Sequence, residues 1–146
     1  MDFSRVVERV VSPKIFPDEI SVRAVAPALR AHVAKELSEK YKMCQSEIGL
    51  LLNVSQAAVS YYLRDLRGTG AEYALKAKEV KRITAAIATN LSSRAHDQRI
   101  TVGLFSEAMQ YIKGNRLLCG VHKTFEPDLD LGSCHICDDP SLKLER

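Results

Sequence analysis

The sequence predicts an all-α protein that ends in an irregular, cysteine-rich segment. Three observations carry this. Apolar residues recur every three or four positions over six stretches. No alternating apolar–polar run of comparable length competes with them. Beyond residue 114 the period fades, and three of the four cysteines gather there. With 146 residues the chain suits one compact unit plus an appendage. It divides on paper into residues 1–70, a helical region 71–114, and a tail 115–146.

Taken in order, FSRVVERVV at 3–11 places Phe3, Val6, Val7, Val10 and Val11 at helical spacing, and Ser12-Pro13 ends it, because a residue before proline disfavours the helical region. From Ser21 to about Tyr41 the stripe is Val22, Val25, Leu29, Val33 and Leu37. Pro27 falls in the first two turns, where its missing N–H costs least. Two short helices follow, about 45–52 and 56–66, with Gly68 and Gly70 closing the second. A longer helix over about 71–91 puts Tyr73, Ala77, Val80, Ile83, Ile87 and Leu91 on one face. Another over about 101–113 carries Val102, Phe105, Met109 and Ile112 and stops at Gly114-Asn115.

The two short helices read QSEIGLLLNVSQAAVSYYLR, a pair crossing at a tight turn. Ile48, Leu51 and Leu52 form the inner face of the first helix, Val54 plugs the turn, and Val59, Tyr62 and Leu63 face inward from the second. Gly49 stands where the helices approach closely, and the Ser55 hydroxyl can cap the second helix. Outside remain Gln56, Ala57, Ser60, Tyr61 and Arg64, with Arg67 just beyond. Gln can bond adenine at two edges, Ala can meet a thymine methyl, Ser reaches base or phosphate, and Arg reaches guanine or backbone. Gln45 and Ser46 open the first helix, where N–H groups and polar side chains suit a phosphate oxygen. One such helix covers few base pairs, so a homodimer on a pseudo-palindromic duplex is expected, with helices 71–91 and 101–113 as its contact surfaces.

Over roughly 27–68, PALRAHVAKELSEKYKMCQSEIGLLLNVSQAAVSYYLRDLRG resembles the helix-turn-helix of phage-repressor-like (XRE/Cro) regulators, and is similar to small archaeal transcriptional regulators that pair such a domain with a variable carboxyl part. Asn53 departs from the glycine many of them carry at the turn; asparagine is the next-best residue for a left-handed conformation. The resemblance implies a transcription regulator, a repressor by expectation, that binds double-stranded DNA.

The tail reads CGVHKTFEPDLDLGSCHICDDP. It spaces Cys119-x2-His122 and Cys134-x2-Cys137 as two ligand pairs, which suits zinc as Cys3His with His122 as an optional ligand. Thiolates equally suit a [4Fe–4S] cluster, and Asp128, Asp130, Asp138 and Asp139 offer oxygen donors nearby. Similar archaeal regulators carry cysteine-rich tails for which a cluster, acting as redox sensor, is the attractive reading; the cluster is placed ahead of zinc. Loss or oxidation of the centre would loosen the tail and change DNA affinity.

Other residues have plainer readings. Cys44 is a small packed residue, His32 and His96 are surface or packed imidazoles, and the side chain of His135 points away from its cysteine neighbours. Lys76, Lys78, Lys81 and Arg82 form a solvated face. Up to Gly114 there are 17 Lys and Arg against 12 Asp and Glu, and beyond it 4 against 6, so the excess positive charge belongs to the helical part, which is compatible with nucleic-acid binding and equally with a plain solvated surface. No apolar run reaches membrane length, and the charged amino end does not read as a signal peptide, so a cytoplasmic protein is expected. No phosphate loop, nucleophile elbow or acid/base pair stands out, which argues against an enzyme. The competing class is a zinc-stabilised protein–protein adaptor with no affinity for DNA.

Overall fold

Pro17 opens the first helix earlier than the apolar stripe alone indicates, since a proline at the first helical position loses no hydrogen bond. The computed structural model describes residues 13–64 and 71–137. The expected helix 3–11, the glycines Gly68 and Gly70, and Arg67 lie outside the described residues.

Helix α1 (Pro17–Ile20) runs through one π-helical turn (Ser21–Val25) into α2 (Ala26–Glu39). The wide turn answers Pro27. Its ring would crowd the carbonyl four residues back in a regular helix, and the π turn, closed by the Ala26 N–H on the Ser21 carbonyl, resets the register just before it. Helix α2 is the centre of the molecule, with Leu29, Val33 and Leu37 fully buried. Each such side chain contributes about 1.5–3 kcal/mol of burial.

The next elements are α3 (Gln45–Leu52), α4 (Gln56–Arg64), α5 (Glu72–Leu75), α6 (Lys78–Ser92), α7 (Gln98–Gly114) and α8 (Leu117–Phe125). No strand occurs among the described residues. Helices α3 and α4 pack on each other and on α2; α6 packs on α2 and α7; α8 packs on α5, α7 and α1. One apolar core runs from Ile20 to Val121 through all of them.

The structure corrects several sequence expectations. The helix expected over 71–91 breaks at Lys76-Ala77, where Ala77 takes ψ 133°. Nothing local marks this break; it lets α5 lie against α8 while α6 lies against α2 and α7. The stripe Val80, Ile83, Ile87 and Leu91 is buried within the chain's own core, whereas Tyr73 faces outward. Helix α7 starts at Gln98, because Asp97 caps it by accepting from the Arg99 N–H at 2.9 Å. Its inner face is Thr101, Ala108 and Ile112, while Val102, on the apolar stripe of the sequence, is 55% exposed. Asn90 clasps α6 to α7 by donating to the Asp97 carbonyl (3.1 Å) and Thr101 Oγ1 (2.7 Å). Cys44, expected to be packed, is exposed: it is the extended residue before α3, and its thiol donates to Glu47 Oε1 at 3.3 Å.

The tail is also not wholly irregular. Leu117–Phe125 is a helix that buries Leu118, Val121 and His122. No helix among the described residues is long and apolar enough to cross a membrane.

Candidate nucleic-acid interface and thiol pocket

Three local devices set the angle between α3 and α4. Asn53 ends α3 in the left-handed conformation at φ 56°, ψ 45°, and the Val54 N–H returns to the Gly49 carbonyl at 2.9 Å. At Gly49 a Cβ would stand 2.8 Å from the Val54 carbonyl oxygen, inside any tolerable contact. Ser55 Oγ accepts from the Ala58 N–H at 3.0 Å, satisfying a backbone donor at the start of α4. Ile48 and Val59 are fully buried and fasten the pair to α2.

The opposite side of α4 is open. Gln56, Ala57, Tyr61 and Arg64 are exposed, and Ser60 is half-buried. Gln56, Ser60 and Arg64 follow one another at i, i+4 and i+8, and Ala57, Tyr61 and Arg64 at i, i+4 and i+7, so the set occupies one continuous face. Arg64 Nε donates to the Ser60 carbonyl at 3.3 Å, laying the guanidinium along the helix. Ser55 and Ser46 are exposed and Gln45 is half-buried; Ser46 Oγ lies 3.3 Å from Cys44 Sγ. Beside Ser46 on α3, Leu50 is 85% exposed, an apolar group on the outer surface that sequence patterning did not single out.

Sequence reasoning set Lys76, Lys78, Lys81 and Arg82 apart as a solvated face. Lys76, Lys78 and Lys81 are exposed, and Arg82 is paired with Glu79. His32 sits half-buried between α2 and α6. Burial, followed by the charges of Lys35 and Lys81, holds its pKa below the ordinary value despite an opposing pull from Glu36.

At the other end, Cys119, His122, Cys134 and Cys137 line one small pocket together with Pro13 and Pro17. The cysteines form no disulfide. Arg116, itself left-handed at φ 59°, organises this end. Its guanidinium donates to the carbonyls of Leu131 (2.8 Å) and Cys134 (3.1 Å) and to Nδ1 of His135 (3.0 Å). The bond to Nδ1 places the proton of neutral His135 on Nε2.

His122 is held by a carboxylate. Its Nε2 donates to Glu126 Oε2 at 2.6 Å, leaving only Nδ1 with a lone pair. Glu126 also accepts from the N–H groups of Lys14 (2.8 Å) and Ile15 (3.3 Å). Burial opposes its charge, but these hydrogen bonds hold its pKa below the ordinary carboxylate value. The donors around the pocket fit a soft metal in kind. Their spacing does not form a ligand set: among the described residues no three His, Cys, Asp or Glu side chains converge closely enough to hold a metal ion.

Comparisons with protein-family models, with curated proteins and with solved structures returned no significant match to this chain.

Proposed function

We propose that the chain is a sequence-specific, double-stranded-DNA-binding transcription regulator acting as a repressor, with α4 entering the major groove. One observation carries this reading: the outward face of α4 presents Gln56, Ala57, Ser60, Tyr61 and Arg64, while the buried Val59 and the turn at Gly49, Asn53 and Ser55 hold the helix in place. Amide, hydroxyl and guanidinium groups on a rigid helix are the chemistry that reads base edges, and small residues at its start let it approach them. Gln45 and Ser46 at the start of α3 would meet the phosphates.

A homodimer on two half-sites supplies the affinity that one helix lacks. Its contact surface falls to α7, whose Ile100 is exposed, rather than to α6, whose apolar stripe is already used internally. Selection of duplexes from a random pool tests the reading. A recovered duplex should show affinity that falls steeply with salt, with a slope near −0.9 per phosphate contacted. Recovery of no duplex above background rejects it.

The tail centre is a separate proposal on which DNA reading does not depend. Cys119, Cys134 and Cys137, which line one pocket, are the residues that would hold an iron–sulfur cluster, placed ahead of zinc, and a cluster would supply a redox-sensitive cross-link there. His122 stays an optional fourth ligand through Nδ1, since its bond to Glu126 uses only Nε2. Metal analysis and the absorbance of anaerobically purified protein distinguish a coloured cluster, colourless zinc and metal-free thiols.

A further inference from the structure

Helix α2, the end of α3 and helix α7 enclose a groove of about 490 Å3, within the range of small-molecule sites. Leu29, Phe105 and Met109 give it an apolar lining, and Arg30, Asn53 and Gln110 bring polar groups to it. Among the described residues no carboxylate lines it, and Arg30 is the single formal charge in that lining. Arg30 makes no ion pair or side-chain hydrogen bond among the described residues and is only half exposed. A guanidinium beside an apolar cavity, with no anion supplied by the described residues, is suited to pair with an external carboxylate.

We propose that this groove binds a small amphipathic organic anion, a medium-chain or aryl carboxylate. Its carboxylate pairs with Arg30, and its hydrocarbon lies along Leu29, Phe105 and Met109. The groove wall includes Leu51, Leu52 and Asn53, the residues that carry the chain into α4. A ligand touching both α7 and this turn therefore biases the position of α4. That coupling rests on the DNA-binding reading, whereas ligand binding itself does not.

The test uses the full chain, with octanoate and indole-3-acetate as probes and octanol as the uncharged match, followed by backbone amide shifts. Saturable shifts at residues 26–30, 51–53 and 98–110 are expected. Octanoate should bind on the order of 10-fold more tightly than octanol, as a charge-assisted pair of about 1.5 kcal/mol implies. Arg30→Gln should reduce octanoate to the level of octanol and leave octanol unchanged, Arg30→Lys should restore part of the difference, and Met109→Trp should fill the groove and abolish both.

Several results overturn the site: no saturable shift with either anion, shifts confined to other surfaces, equal octanoate affinity in Arg30→Gln, or a dimer that seals the groove and dissolves in Met109→Glu. Saturating octanoate should change duplex affinity by about 5–150-fold. A duplex bound equally well with and without octanoate overturns the coupling. A chain that binds octanoate but no duplex overturns the DNA reading and leaves the site standing.

Discussion

The α3–α4 pair and the carboxyl end around α8 each bring chemically distinctive side chains to one place, but by different means. In the helix pair, determinants within seven residues of one another do the positioning: the missing Cβ at Gly49, the left-handed Asn53 and the capping hydroxyl of Ser55. At the carboxyl end long-range side chains do it: Arg116 ties α8 to carbonyls 15 and 18 residues away, and Glu126 accepts from the Lys14 and Ile15 N–H groups. The first arrangement is written into neighbouring residues, and its outer face is exposed. The second spends polar groups on internal bonds, and its thiols line a small pocket.

The largest test of this contrast is Gly49→Val. A branched side chain at a position where even a Cβ meets the Val54 carbonyl at 2.8 Å forces the helices apart, and a loss of about 2–3 kcal/mol is expected in chemical denaturation. An unchanged midpoint would mean that close approach at Gly49 does not set the pair. Next comes Arg116→Ala, which removes charge-assisted bonds to two carbonyls and an imidazole. It should cost about 2 kcal/mol and raise amide exchange in 129–137 while leaving 45–64 protected. Equal loosening of both regions would erase the distinction.

The smallest effect concerns His32, which sits outside both regions and serves as a control. Its pKa is depressed in the folded protein, so the unfolded chain binds the proton more readily; the stability tied to the neutral ring is present above the ordinary value of about 6.5 and is lost as pH falls through the folded value. His32→Gln should flatten that acid-side decline in thermal unfolding and leave stability at pH 8 nearly unchanged. A decline as steep as in the parent would assign the pH dependence to other groups.

What could be read from the sequence follows the same division. The break at 53–55, the buried Ile48 and Val59, and the outward Gln56, Tyr61 and Arg64 were legible because each depends on residues close by in the chain. The break at Lys76-Ala77 was not, since no glycine or proline marks it and packing on two different neighbours imposes it. The start of α7 at Gln98 depends on the Asp97 cap, and the buried face runs through Thr101, Ala108 and Ile112, leaving Val102 to one side.

Helix α8 did carry a signal, with Leu117, Leu118, Val121 and Phe125 at helical spacing. The Cys119-x2-His122 pattern drew attention to ligand pairs instead, and in the structure those residues are one helical turn apart. The roles of Arg116, Glu126 and Arg30 had no sequence signature, because each depends on a partner or a cavity brought from far along the chain.

The central claim is that the open face of α4 reads DNA. Its most direct test is the affinity of the Gln56→Ala, Arg64→Ala double variant for a duplex recovered by selection, compared with the parent chain at the same salt concentration. Loss of two base-directed side chains, each worth about 1–3 kcal/mol of discrimination, predicts at least a 10-fold weakening on that duplex and a much smaller change on unrelated DNA. Equal affinity of the variant and the parent for the selected duplex would contradict the account.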